Sequence, residues 1–114
     1  MSITSDVRAI YFGLDTDREA DTRYPIVSGG TGSAWLRGAY ISTSATVYNN
    51  IAKLFYLHDG ESGDTLMTFG VGNWQPQGFV LMGEECYIDF PSGIYISSNL
   101  EEFIQEPMMT FFVS

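Results

Sequence analysis

IAKLFYLHDGESGDTLMTFGV, residues 51–71, holds two apolar runs rich in β-branched and aromatic side chains, parted by a cluster of turn residues. Ile51 to His58 reads as a strand that ends at Asp59-Gly60 and Ser62-Gly63, and Thr65 to Val71 then pairs back onto it. Asp59 to Asp64 is therefore a hairpin connection, and the two runs are antiparallel. The same pattern continues outward in both directions. Upstream lie Val7 to Gly13 and Ala34 to Thr43, the latter interrupted by Gly38 as a bulge or close-approach point. Downstream lie Phe79 to Met82, Cys86 to Phe90, Ile94 to Ser97 and Met108 to Val113, separated by Gly72 to Gly78 and by Pro91-Ser92-Gly93. Leu100, Phe103 and Ile104 fall at helical spacing, but the run is too short to change the class. Short strands between turns, with no strand–helix alternation, predict an all-β fold: an antiparallel β-sandwich, jelly-roll-like, as a single domain over 1–114.

The composition agrees with a packed domain and removes several function classes. Hydrophobic residues make up 45% and aromatics 15% of the 114 residues, enough for one core at a size that buries roughly two-thirds of the unfolded surface. Fourteen acids against five bases give a net charge of −9, which repels phosphate backbones, so no nucleic-acid partner is expected. No apolar run reaches the length of a membrane span, and Met1 to Val7 is polar where a signal peptide would be basic then apolar. Synthesis in the cytoplasm without a membrane partner is the expectation. The single Cys86 has no partner for an intrachain disulfide and reads as a small apolar residue of a strand.

Two features do not suit a lone sandwich. Ile51, Phe55 and Leu57 alternate with Ala52, Leu54 and Tyr56, and Trp35 and Ile41 alternate with Leu36 and Tyr40, so these strands are apolar on both faces. A monomeric antiparallel sheet usually turns a polar face to water, and the pattern predicts contacts between subunits; the competing reading is a fully buried central strand. The second feature is the stretch from Leu14 to Ser33, a long loop or arm in which only Tyr24 to Val27 resembles a strand. Segments of that length often contact a neighbour; the competing reading is an edge strand at Arg23 to Val27. Tyr24, Ile26, Trp35, Ile41, Phe55 and Leu57 are the expected interface residues.

Site chemistry is sparse. Asp15, Asp17, Glu19 and Asp21 alternate as oxygen ligands do in a calcium loop. Ala20 stands in place of the loop glycine and Ile26 in place of the bidentate glutamate, so the stretch reads as a solvated acidic loop, with calcium as the alternative. His58 is the lone histidine, and no acid or cysteine in its neighbourhood of sequence builds a triad or zinc site around it. Glu84-Glu85 and Glu101-Glu102 are sequence neighbours that point to opposite faces of a strand. No catalytic residue and no cofactor are expected. Trp35, Trp74, Tyr24 and Tyr87 could stack on a pyranose, Trp74 in its Gly-Asn-Trp-Gln-Pro loop above all, or fill a core or protein interface.

Three stretches, AWLRGAYIS (34–42), KLFYLHDGESGDTLMTF (53–69) and YIDFPSGIYISSNL (87–100), resemble small β-sandwich structural proteins of tailed bacteriophages. An Asp-Gly hairpin followed by a Phe-Pro-x-Gly-Ile turn recurs in such proteins with similar spacing. The acidic N-terminal third has no counterpart. The resemblance implies a virion component, a capsid decoration or cement protein in the first instance, bridging copies of the major capsid protein and of itself as a homotrimer. The alternatives are a glycan- or receptor-binding module of a tail or fibre, with Trp74 as the contact, and a head-to-tail joining protein.

Overall fold

The computed structural model describes residues 7–12, 21–28, 33–42, 53–71, 77–81, 85–98 and 108–114. They form the strands β1 (Arg8–Phe12), β2 (Tyr24–Val27), β3 (Ala34–Ser42), β4 (Lys53–Asp59), β5 (Thr65–Val71), β6 (Gln77–Val80), β7 (Ile88–Phe90), β8 (Ile94–Ser98) and β9 (Met108–Val113), with no helix among the described residues. One sheet runs β1-β9-β3-β6, with β7 also paired to β3, and the other runs β2-β8-β4-β5. Every pairing is antiparallel.

Strand order explains how one chain makes both layers. β4 pairs β5, β3 pairs β6, β2 pairs β8 and β1 pairs β9, so the chain is one long nested hairpin whose tip is the Asp59–Asp64 turn. Rolling that ribbon up places alternate pairs in opposite sheets, which is the jelly roll. β7 is an addition, filling the part of β3 beyond the reach of β6 at Ala34 to Leu36.

The core lies between the sheets. Phe55, Leu57, Ile94 and Ile96 from the four-stranded sheet face Leu36, Phe90, Met109 and Phe111 from the five-stranded one, all essentially without solvent contact. Phe69 and Phe79 stack across the layers with ring centroids 5.8 Å apart. Burying each such side chain stabilises the fold by about 1.5–3 kcal/mol.

Some sequence expectations change here. Phe55 and Leu57, expected at an interface, are fully enclosed in this core and present no surface to a neighbour. Within the expected arm, residues 24–27 form β2 and pair with β8 of the same chain, as the edge-strand reading had it; 14–20 and 29–32 lie outside the described residues. The strand expected at Phe79 to Met82 sits two residues earlier, because Gln77 and Gly78 pair with Ile41 and Tyr40.

Candidate interaction surface

The bulge in β3 decides what the five-stranded sheet shows to solvent. Leu36 pairs with Val113 and Gly38 with Phe112, leaving Arg37 as the extra residue. An extra residue reverses the in–out alternation beyond it. Trp35, Gly38 and Tyr40 therefore share the outer face, while Leu36, Ala39 and the register position of Ile41 share the inner one. Uninterrupted alternation would have put Trp35 with Ile41 and against Tyr40, which is the grouping expected from the sequence.

Two rows of outer-face residues run across the strands. One is Tyr11, Thr110, Tyr40 and Gly78, and the other is Ala9, Phe112, Gly38 and Val80. None is charged. Tyr11 is 64% exposed, Tyr40 48% and Val80 69%, values unusual for large apolar side chains grouped together. Ala39, Tyr40, Gly78, Phe79, Val80 and Phe112 line an open groove of about 450 Å³. Beside it lies Gly38, where a Cβ would come within 2.6 Å of Phe79 O; only glycine lets β6 approach so closely. A Cβ on Gly78 would lie 3.0 Å from Cδ2 of Tyr40, so the tyrosine ring lies down over the glycine. Beyond the groove, Trp35 and Tyr87 stack at 4.4 Å. Each ring of that pair covers one face of the other, which favours a packed protein surface over an open sugar platform.

The outer face of the four-stranded sheet is covered around His58. His58 pairs with Tyr95 and Thr65 and lies one row from Ser97, and these three side chains, His58, Tyr95 and Ser97, are all buried. The hairpin tip curls back over them. Arg23 Nη1 donates to Gly60 O at 3.1 Å and to Gly63 O at 2.9 Å, and Tyr95 Oη donates to Glu61 Oε1 at 3.5 Å. Ser92 N donates to Asp59 Oδ1 at 2.7 Å and Gly60 N to Gly93 O at 3.0 Å, joining the tip to the β7–β8 turn. Its own hairpin tip thus covers the second face of β4 at His58, while Leu54 and Tyr56 farther along that face are half-buried.

His58 Nε2 lies 2.7 Å from Ser97 Oγ and Nδ1 lies 2.8 Å from Thr65 Oγ1. A neutral ring satisfies both hydroxyls, donating through one nitrogen and accepting at the other. Ser97 and His58 supply two members of a hydrolytic arrangement, but the third position is Thr65, a hydroxyl without the charge that steadies an imidazolium. The cluster therefore reads as a structural latch. Burial, and then the nearby Arg23 charge, lower the His58 pKa from its ordinary 6.5. The unfolded chain consequently takes up the proton first as pH falls. Stability should be level above about pH 6.5 and drop below it, until the folded state also protonates. Thermal melts of the protein and of His58→Gln between pH 7.5 and 5 should show a steeper acid loss in the former.

Tyr24 and Ile26, two more of the expected interface residues, are half-buried or packed on the core from β2. Asp21 is exposed, has φ of 59°, and donates its N–H to Ser98 O at 2.9 Å, a left-handed position that aspartate tolerates. Asp15, Asp17, Glu19 and Trp74 lie outside the described residues. Among the described residues no three metal-ligating side chains come together. The sequence matches no known family and no curated protein. Geometry and surface chemistry carry the functional argument. Tyr11, Tyr40, Val80 and Phe112, the residues that build the open face, were absent from the expected interface. For Tyr40 the signal is the Arg37-Gly38 bulge, read as a change of parity; Tyr11, Val80 and Phe112 join it through long-range strand pairing.

Proposed function

We propose that this chain is a structural protein that seats the outer face of its five-stranded sheet against other protein subunits, and that it does so in a bacteriophage head as a decoration or cement protein. The observation that carries this reading is the uncharged aromatic face around Tyr11, Tyr40, Val80 and Phe112. Aromatic enrichment and depletion of charge are what set the centre of an interface apart from other surface. The net charge of −9 keeps free copies soluble and apart until such faces meet. The head as the setting rests on the resemblance of the Ala34 to Leu100 stretches to phage structural proteins. There each copy, as part of a trimer bridging capsid subunits, adds modest contacts that together resist the pressure of packaged DNA.

Light scattering of the purified chain, followed by co-sedimentation with capsid shells lacking it, tests both parts. A trimer, or trimers joined in pairs, that binds shells is expected. Tyr40→Asp with Val80→Asp should leave the fold intact and weaken binding by about 2 kcal/mol or more. A monomer at all concentrations that ignores the shells overturns the proposal, and density for this chain at the tail tip of an imaged virion would assign it to receptor or glycan binding instead.

A further inference from the structure

Among the described residues, the edges of the two sheets are guarded unequally. β1 carries Arg8, β2 carries Pro25, and β6 is four residues long with Gly78 within it. β5 differs: seven residues, TLMTFGV, with neither charge nor proline. Its one strand partner is β4, its Thr65, Leu66 and Thr68 are exposed and its Met67 half-buried. Natural sheets blunt their edges with charges, prolines or short strands, because an open row of N–H and C=O groups recruits another strand. The only device on β5 is the register shift near the turn, between Leu57 and His58 of its partner, and from Met67 onward the ladder is regular.

From this edge we infer a second contact, in which β5 of one copy pairs antiparallel with β5 of a second copy, joining two four-stranded sheets into one of eight strands. The strand complements itself about Thr68. In that register Thr68 faces Thr68 of the second copy on the outer side. Met67 faces Phe69 on the inner side, because both side chains point into the core in register with Leu57 and Phe55. Thr–Thr and sulfur–aromatic pairs are favourable cross-strand neighbours. Self-pairing also fits the charge, since in a chain of net −9 this edge brings together seven residues from each copy with no acid among them. The contact uses neither the groove nor the aromatic face, so it stands whether or not that face binds a capsid.

Cysteine cross-linking reads the register. Cys86 is exposed and is first replaced by serine. In that background Thr68→Cys, oxidised with oxidised glutathione, should give a disulfide-linked dimer, whereas Thr65→Cys, whose partner in this register is Val71, should not. Thr68→Lys, which sets two like charges face to face, should weaken dimerisation about tenfold with an unchanged melting temperature at low concentration. Equal cross-linking at both positions, none at Thr68→Cys, or cross-linking only to a different protein in an extract would overturn the pairing. Repeating the measurement with Tyr40→Asp and Val80→Asp separates the two surfaces: the cross-link of the Thr68→Cys variant should persist, and its loss would assign dimerisation to the aromatic face.

Discussion

Replacing Phe111 by alanine should cost the fold about 3–5 kcal/mol, a large part of the roughly 5–15 kcal/mol that holds a domain together. β9 lies between β1 and β3, and Phe111 is in register with Ile10 on one side and Ala39 on the other. It is completely buried. The neighbour on β3 is itself small, so no side chain there can move in to fill the space, and the cavity term adds to the lost transfer energy. The next residue is the control. Phe112 is half-buried on the outer face beside Gly38, and Phe112→Ala should cost about 1 kcal/mol. Thermal denaturation separates the two, at roughly 4 °C for each kcal/mol lost. Equal losses would mean that the in–out alternation of β9 has been assigned wrongly.

Gly63→Ala should be the most damaging substitution in the hairpin tip, at about 1–3 kcal/mol. A Cβ there would fall inside the van der Waals shell of Asp59 O. Asp59 has little room to retreat: its N–H donates to Asp64 O at 2.9 Å, and its Oδ1 accepts from Ser92 N at 2.7 Å. Displacing residue 63 also moves the carbonyl that Arg23 holds at 2.9 Å, which loosens the cover over Tyr95 and His58. Ser62→Ala, one residue away and exposed, should stay within about 0.5 kcal/mol. Urea denaturation gives both values. Hydrogen exchange at Gly60 N, bonded to Gly93 O, should quicken in Gly63→Ala alone.

The fold was legible because its central hairpin is local. Asp59-Gly60 and Ser62-Gly63 mark a turn whatever surrounds them, Thr65 to Val71 is the observed β5, and Met108 to Val113 is the observed β9. What each strand faces was less legible, since facing depends on long-range structure. The apolar alternation of β4 suggested a missing partner. The cover over His58 proved to be the turn that follows β4, folded back and held by Arg23 from a distant part of the chain. In β3 a single added residue at the Arg37 bulge turned Tyr40 to the outer face beside Gly38. Among the described residues, the exposed Tyr11, Tyr40 and Val80 gather on the outer face of the five-stranded sheet.

The nested order of the strands also sets a timetable. Pairing β1 with β9, Arg8 opposite Val113, closes a loop spanning nearly all of the described chain, and such closure is slow compared with forming a hairpin. At synthesis rates of about 5–20 residues per second, β1 leaves the ribosome several seconds before its partner exists. The β4–β5 hairpin can form at once, and successive pairs then zip outward from it. The β1–β9 seam closes last, so a stalled or truncated chain would hold Ile10, Tyr11 and Phe12 unpaired and open to chaperones.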